Sequence, residues 1–145
     1  MIPEFVATLP AGTFFGVAAY INVAEQPARL SCGGTTAVAQ WRPGYGRGTL
    51  LQAPLALAGS LAAPLAWWLD RDLRWLVGGM LWFLVIPFTF LVIFPTNRRL
   101  ESPALDAASG EAVRLLRRWG RLPAVRSTLG GFSFALFLWT LVSAR

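Results

Sequence analysis

Long apolar runs separated by two polar segments set the plan of this chain. Residues 5–24, 49–69 and 75–95 are each about the length a helix needs to cross the hydrocarbon core of a bilayer. A fourth run, 127–142, is slightly short. Arg126 at its start has a stem long enough to snorkel to the interface, which extends that span to about 124–142. A soluble amphipathic bundle would place polar residues at helical spacing in every run, and 57–69 and 81–95 have almost none. The pattern predicts an all-α integral membrane four-helix bundle, a single transmembrane domain over residues 1–145.

The polar segments carry shorter elements. Residues 25–48 are Gly-rich; 36–42 read as a short cytoplasmic helix capped near Thr35 or Thr36, and Pro43-Gly44-Tyr45-Gly46 reads as a turn. In 97–123, Leu105, Ala108, Ala112, Leu115, Trp119 and Leu122 recur at spacings of three and four. Arg114, Arg117, Arg118 and Arg121 lie largely on the other side. This predicts an amphipathic helix from near Ser109, with Glu111 at its positive end, lying in the membrane interface and closing the bundle. Asp70-Arg71-Asp72 is a tight connection that makes the second and third spans antiparallel neighbours. Gly12 and Gly16 form a small-xxx-small pair suited to close helix approach. Pro54, Pro64 and Pro87 each remove a backbone donor from a span and are read as packing kinks.

Composition sharpens this picture. Hydrophobic residues make up 55% of the chain, and the mean hydropathy is +0.53. The net charge of +6 comes from thirteen basic residues, all Arg. They cluster at span ends, where membrane proteins place them to set orientation, so the charge does not imply nucleic acid. Ten Arg fall in or beside the segments after spans one and three, against Arg71, Arg74 and Arg145 on the other face. That asymmetry predicts a multi-pass protein of the bacterial inner membrane, with both termini outside and both long segments cytoplasmic. The start, Met1-Ile2-Pro3-Glu4, has no positive flank, so the first span is expected to stay as a helix. There is no His and a single Cys, Cys32, which removes His-based metal sites, His-ligated haem, Ser-His triads and intrachain disulfides. No metal or other cofactor is expected.

The polar residues near the arginine-rich end form a candidate site. Asn22, Glu25 and Arg29 are spaced to share a helix face if the first helix runs past the membrane edge, with Pro27 in a distorted turn. Gln52 starts span two, Asn97 and Arg98 end span three, and Arg126 opens span four. Trp41, Tyr45 and Trp119 come from the segments that would cover this end. The result is a pocket with apolar walls, Arg donors, one carboxylate and an aromatic lid. The plainer alternative is that Arg and Trp are interfacial anchors and that Glu25 and Arg29 only satisfy each other.

Several blocks resemble a known family. The run Ala11-Gly12-Thr13-Phe14-Phe15-Gly16-Val17-Ala18-Ala19-Tyr20-Ile21-Asn22-Val23-Ala24-Glu25-Gln26-Pro27-Ala28-Arg29-Leu30 is similar to the first helix of anthrone oxygenase-like membrane proteins. Trp41-Arg42-Pro43-Gly44-Tyr45 resembles their aromatic loop, and Pro95-Thr96-Asn97-Arg98-Arg99-Leu100 resembles a third block. Arg118-Trp119-Gly120-Arg121-Leu122-Pro123-Ala124-Val125-Arg126 resembles a fourth. The named activity in some fungal members is oxygenation of anthrones to anthraquinones without metal or flavin; most bacterial members have no known function. The chain has Gln26 and Pro123 where relatives often have His, so the resemblance supports fold better than reaction.

Two functional readings follow. The first is a cofactor-independent oxygenase acting on a lipophilic polycyclic aromatic. Glu25 would be the base, and Arg29, Asn97, Arg98 and Arg126 would stabilise the oxyanion. Trp41, Tyr45 and Trp119 would stack on the rings, with Asn22, Arg47 and Gln52 completing the binding set. In that reading Glu25 is held by Arg29 and by Arg98 or Arg126. The second is a non-catalytic membrane binder of a quinone, lipid or amphiphile, or a small accessory subunit. The expected partners are membrane lipids and a lipophilic aromatic or quinone ligand, with no nucleic acid; homo-oligomerisation is left open.

Overall fold

The apolar runs form helices that extend well beyond the bilayer core. A computed structural model describes residues 2–143. Within them are four helices long and apolar enough to cross a membrane, α1 (Ile2–Ser31), α2 (Gly34–Asp70), α3 (Leu73–Glu101) and α4 (Gly110–Ser143). By length and composition they mark a membrane protein. The helices run alternately up and down. α1 packs on α2 and α4, and α3 packs on the same two, so the four stand in ring order. Arg145, counted above on the outer face, lies outside the described residues.

The short connection behaves as its residues require. Arg71 takes the left-handed conformation at φ 57°, and its guanidinium sits 4.3 Å from the Trp68 ring centroid. Asp72 caps α3 by accepting from the Arg74 amide at 2.9 Å and also holds the Arg74 guanidinium. At the other long connection, Ser109 caps α4 by accepting from the Ala112 amide at 3.1 Å.

Two expected elements differ. The short helix at 36–42 and the turn at 43–46 are one uninterrupted stretch of α2, with Pro43, Gly44 and Gly46 inside it. Tertiary contacts explain this. Trp41 and Tyr45 are four residues apart and stack on one face, with centroids 5.1 Å apart and planes 4° apart. Arg42 donates to the carbonyls of Leu100 and Ser102, both at 3.1 Å. These contacts hold the helix where local propensity predicted a break. The amphipathic stretch is helical as expected, but it continues through Pro123 into span four as the single helix α4.

α1 and α3 share a local distortion. A π-helical turn occupies Ile21–Glu25 in α1 and Thr89–Ile93 in α3. Each ends two residues before a proline, Pro27 and Pro95. Proline lacks the N–H for the carbonyl four residues back and clashes with it, so the preceding turn widens. The distorted turn expected near Pro27 is therefore present.

The core has two parts. Towards the 70–72 connection, Ala7, Ala11, Ala63 and Ala66 let the helices close around Trp75 and Phe137. A Cβ at Gly12 would lie 2.7 Å from the Phe134 ring, whereas one at Gly16 would meet nothing within 4 Å. The small-residue approach thus operates at Gly12. At the arginine-rich end, Val38, Trp41, Leu100, Leu116 and Trp119 form a second buried cluster.

Candidate functional site

A cavity of about 530 Å³ lies between the two core clusters, within the usual size range of small-molecule sites. All four helices contribute to its wall. Trp41, Tyr45 and Trp119 close its arginine-rich end; Trp41 meets Trp119 edge-on with centroids 5.7 Å apart. Phe14 lies at the opposite side, edge-on to Trp82 at 5.0 Å. Most of the remaining wall is apolar, from residues such as Val17, Ala56, Val85 and Ile93.

Five polar or amphipathic residues of the wall carry buried atoms without a partner. Asn97 is fully buried, and neither its Nδ2 nor its Oδ1 has a hydrogen-bond partner. The same holds for Gln52 Nε2, Trp41 Nε1, Trp119 Nε1 and Arg126 Nε. All five residues line the cavity. Leaving a buried donor or acceptor unpaired costs about 1–3 kcal/mol, so this wall is destabilised relative to one whose groups are satisfied. Arg126 makes no ion pair with any described carboxylate; its guanidinium sits 5.2 Å from the Phe14 ring centroid.

Glu25 and Arg29 also line the cavity and belong to a closed network. Arg29 donates to Glu25 Oε1, to Gln26 Oε1 and to Gln40 Oε1. Gln40 Nε2 donates to the same Glu25 oxygen at 3.2 Å. Gln26 Nε2 in turn donates to the Leu116 carbonyl at 2.8 Å, tying α1 to α4. The Arg29 guanidinium lies 5.6 Å from the Trp119 ring centroid. Both bonds to Glu25 fall on Oε1.

The structure thus gathers eight of the eleven candidate residues around one cavity: Glu25, Arg29, Trp41 and Tyr45, with Gln52, Asn97, Trp119 and Arg126. Three stand elsewhere. Arg98 is exposed, with its guanidinium 5.2 Å from the Phe94 ring, because the helix turn that buries Asn97 carries the next residue outward. Arg47 is exposed on α2. Asn22 faces α4, donating to Ser127 Oγ at 2.8 Å, and does not line the cavity. The expected second cation on Glu25 is replaced by the amide of Gln40; neither Arg98 nor Arg126 pairs with it.

A family model described as anthrone oxygenase matches residues 41–136. The chain belongs to the anthrone oxygenase family. No curated protein and no solved structure matches it. The match to the anthrone oxygenase family contains the aromatic end, Gln52, Asn97 and Arg126; the 11–30 block with Glu25 and Arg29 lies before it. Among the described residues no three His, Cys, Asp or Glu side chains gather in a group able to hold a metal.

Sequence reasoning missed Gln26 and Gln40, which complete the network around Arg29. Gln26 sits three residues before Arg29, a spacing that signals a shared helix face. Gln40 had no such signal, because its approach to Glu25 depends on how α2 folds back on α1. Thr89 and Phe90, also in the wall, lie within an apolar run that looks uniform in sequence.

Proposed function

We propose that the cavity binds a flat, lipophilic aromatic carbonyl compound and that the protein oxygenates it without a cofactor. The observation that carries this reading is the set of unpaired buried donors, Asn97, Gln52, Trp41, Trp119 and Arg126, around an otherwise apolar cavity. A carbonyl oxygen is an acceptor that such donors satisfy, and they hold it more strongly once it carries charge. Rotating the Asn97 amide presents either of its atoms.

The proposed chemistry converts a ring CH₂ beside the conjugated system into a carbonyl. Glu25 takes one proton through Oε2, the oxygen not bonded to Arg29 or Gln40. The electron pair delocalises onto the carbonyl oxygen, which the Asn97 and Arg126 donors stabilise. Dioxygen adds to the ring carbon and the peroxide takes a proton. Loss of the second C–H proton with cleavage of the O–O bond leaves the new carbonyl. Substrate CH₂ and O₂ give C=O and H₂O, so dioxygen is the four-electron oxidant. Purified protein in detergent should increase oxygen uptake on an anthrone above the spontaneous rate, and Glu25→Gln should remove that increase. Uptake at the spontaneous rate in the wild-type protein would count against the oxygenase.

One observation favours a second reading, a non-catalytic binder of a quinone, lipid or other amphiphile. Glu25 Oε1 already accepts from a buried Arg and from an amide, so its place in the structure is explained by pairing with Arg29 without a catalytic role. That reading expects binding of the product-like quinone with no turnover of the reduced compound. Either function fits a bacterial inner-membrane protein whose cavity end faces the cytoplasm, the orientation we propose from the arginine asymmetry.

A further inference from the structure

We infer that ligand reaches the cavity sideways from the bilayer, through a window between α2 and α3, and is therefore a neutral, membrane-dissolved carbonyl compound. This rests on the cavity being the binding site. Two sets of hydrogen bonds tie α2 to α3. Trp82 Nε1 donates to the Ala56 carbonyl at 2.9 Å at one end, and Arg42 donates to the Leu100 and Ser102 carbonyls at the other. Gly59 makes the first tie possible, since a Cβ there would lie 2.6 Å from Trp82 Nε1. Between the ties no side-chain hydrogen bond joins the two helices among the described residues.

The chain lengths between the ties do not match. Fourteen residues separate Arg42 from Ala56, and eighteen separate Trp82 from Leu100. At helical rise these span about 21 Å and about 27 Å. α3 must therefore take a longer path, and its irregularities fall within that interval: the break at Leu84, Pro87 and the π-turn Thr89–Ile93. It packs against α2 over Leu73–Phe83 and separates from it over Val85–Ile93.

The residues facing this gap have a double character. Six residues line the cavity and are also exposed: Thr49, Ala53 and Leu57 on α2, Phe90 and Phe94 on α3, and Tyr20 on α1; five of them flank the α2–α3 gap. The α2 residues recur every four positions and the two Phe are also four apart, so each set is one stripe along its helix. A side chain both exposed and in the cavity wall marks an opening. Of the five at the gap, four are apolar and none is charged, so the rim suits neutral, lipophilic molecules. Two other seams near the cavity are tied by hydrogen bonds: Asn22 to Ser127 and Gln26 to Leu116 across α1 and α4, and Glu25 and Arg29 to Gln40 across α1 and α2; α3 and α4 are held by packing, which continues along Val85–Ile93.

The test uses the whole protein in lipid nanodiscs with duroquinone as probe, read by stopped-flow quenching of tryptophan fluorescence. Narrowing the window with Ala53→Phe should slow both association and dissociation, each by about tenfold or more. Widening it with Phe90→Ala should speed both, which keeps the test open if the bulky variant folds poorly. Unchanged rates in both window variants, with saturable quenching that Asn97→Leu abolishes, would overturn the window and leave the cavity as the binding site. No saturable quenching in the wild-type protein, or quenching indifferent to Asn97→Leu, would overturn the cavity reading and the window with it.

Discussion

Asn97 shows how a single side chain can be set against stability. It is fully buried with both amide atoms unpaired, so an apolar residue of similar shape should fit its place better. Asn97→Leu is expected to raise stability by about 1–3 kcal/mol, seen as a higher thermal midpoint in detergent, while ligand binding is lost. A lower midpoint would mean that the amide is structural. Arg29 is the opposite case, a buried cation each of whose three nitrogens donates a hydrogen bond to a side-chain oxygen. Its pair with Glu25 is buried at the Arg and partly open at the Glu. The cost of Glu25→Gln is expected to lie between the about 0–1 kcal/mol of an exposed pair and the about 3–5 kcal/mol of a buried one. Adding Arg29→Met should recover most of that loss in the same unfolding assay. If the double variant is no more stable than Glu25→Gln, the pair is not the cause.

At the scale of elements, the residues that end a helix were legible and those that merely bend one were not. Asp70-Arg71-Asp72 announced a reversal, and Asp72 caps α3 as its type predicts. The Arg74 side-chain and backbone hydrogen bonds hold the Asp72 carboxyl below the usual carboxylate range. A carboxyl whose folded pKa is depressed stabilises the fold above its unfolded pKa, and that contribution is lost as pH falls through the folded pKa. Wild-type protein is therefore expected to unfold at a higher temperature than Asp72→Ala at neutral pH. The gap should narrow on acidification below the unfolded carboxylate pKa, and a gap constant with pH would refute the linkage. Pro43 with Gly44 and Gly46 announced a turn just as strongly, but α2 runs straight through them. The stacking of Trp41 on Tyr45 and the Arg42 bonds to α3 are long-range or packing terms that no local window contains.

For the whole molecule, the distribution of Arg carries the orientation we propose. Placing the cavity end in the cytoplasm predicts that a cysteine introduced at Ser102, in a Cys32→Ser background, escapes labelling by an impermeant maleimide in intact cells. It should label after permeabilisation. Labelling in intact cells would reverse the topology and place the arginine-rich end outside. The ring order of four helices also explains why the cavity sits where it does. α1 and α4 close tightly on small residues at one end, such as Gly12 against Phe134, and bulky Trp41 and Trp119 hold the other end. The space between them is left to the ligand-sized cavity.

By itself the sequence determined the helical class, the four spans, the tight reversal and the family resemblance. Each of these depends on residue type summed over a contiguous stretch: apolar length against bilayer thickness, cap chemistry, or a motif in order. It also marked eight of the residues that meet at the cavity, because helix ends in an up-and-down bundle must converge. Tertiary structure alone decided that Arg98 and Arg47 turn outward, that Gln40 rather than a second Arg meets Glu25, and that α2 and α3 part beside the cavity. Those outcomes follow from helix phase and from the unequal path lengths of two helices tied at both ends. Both quantities exist only once the helices have packed.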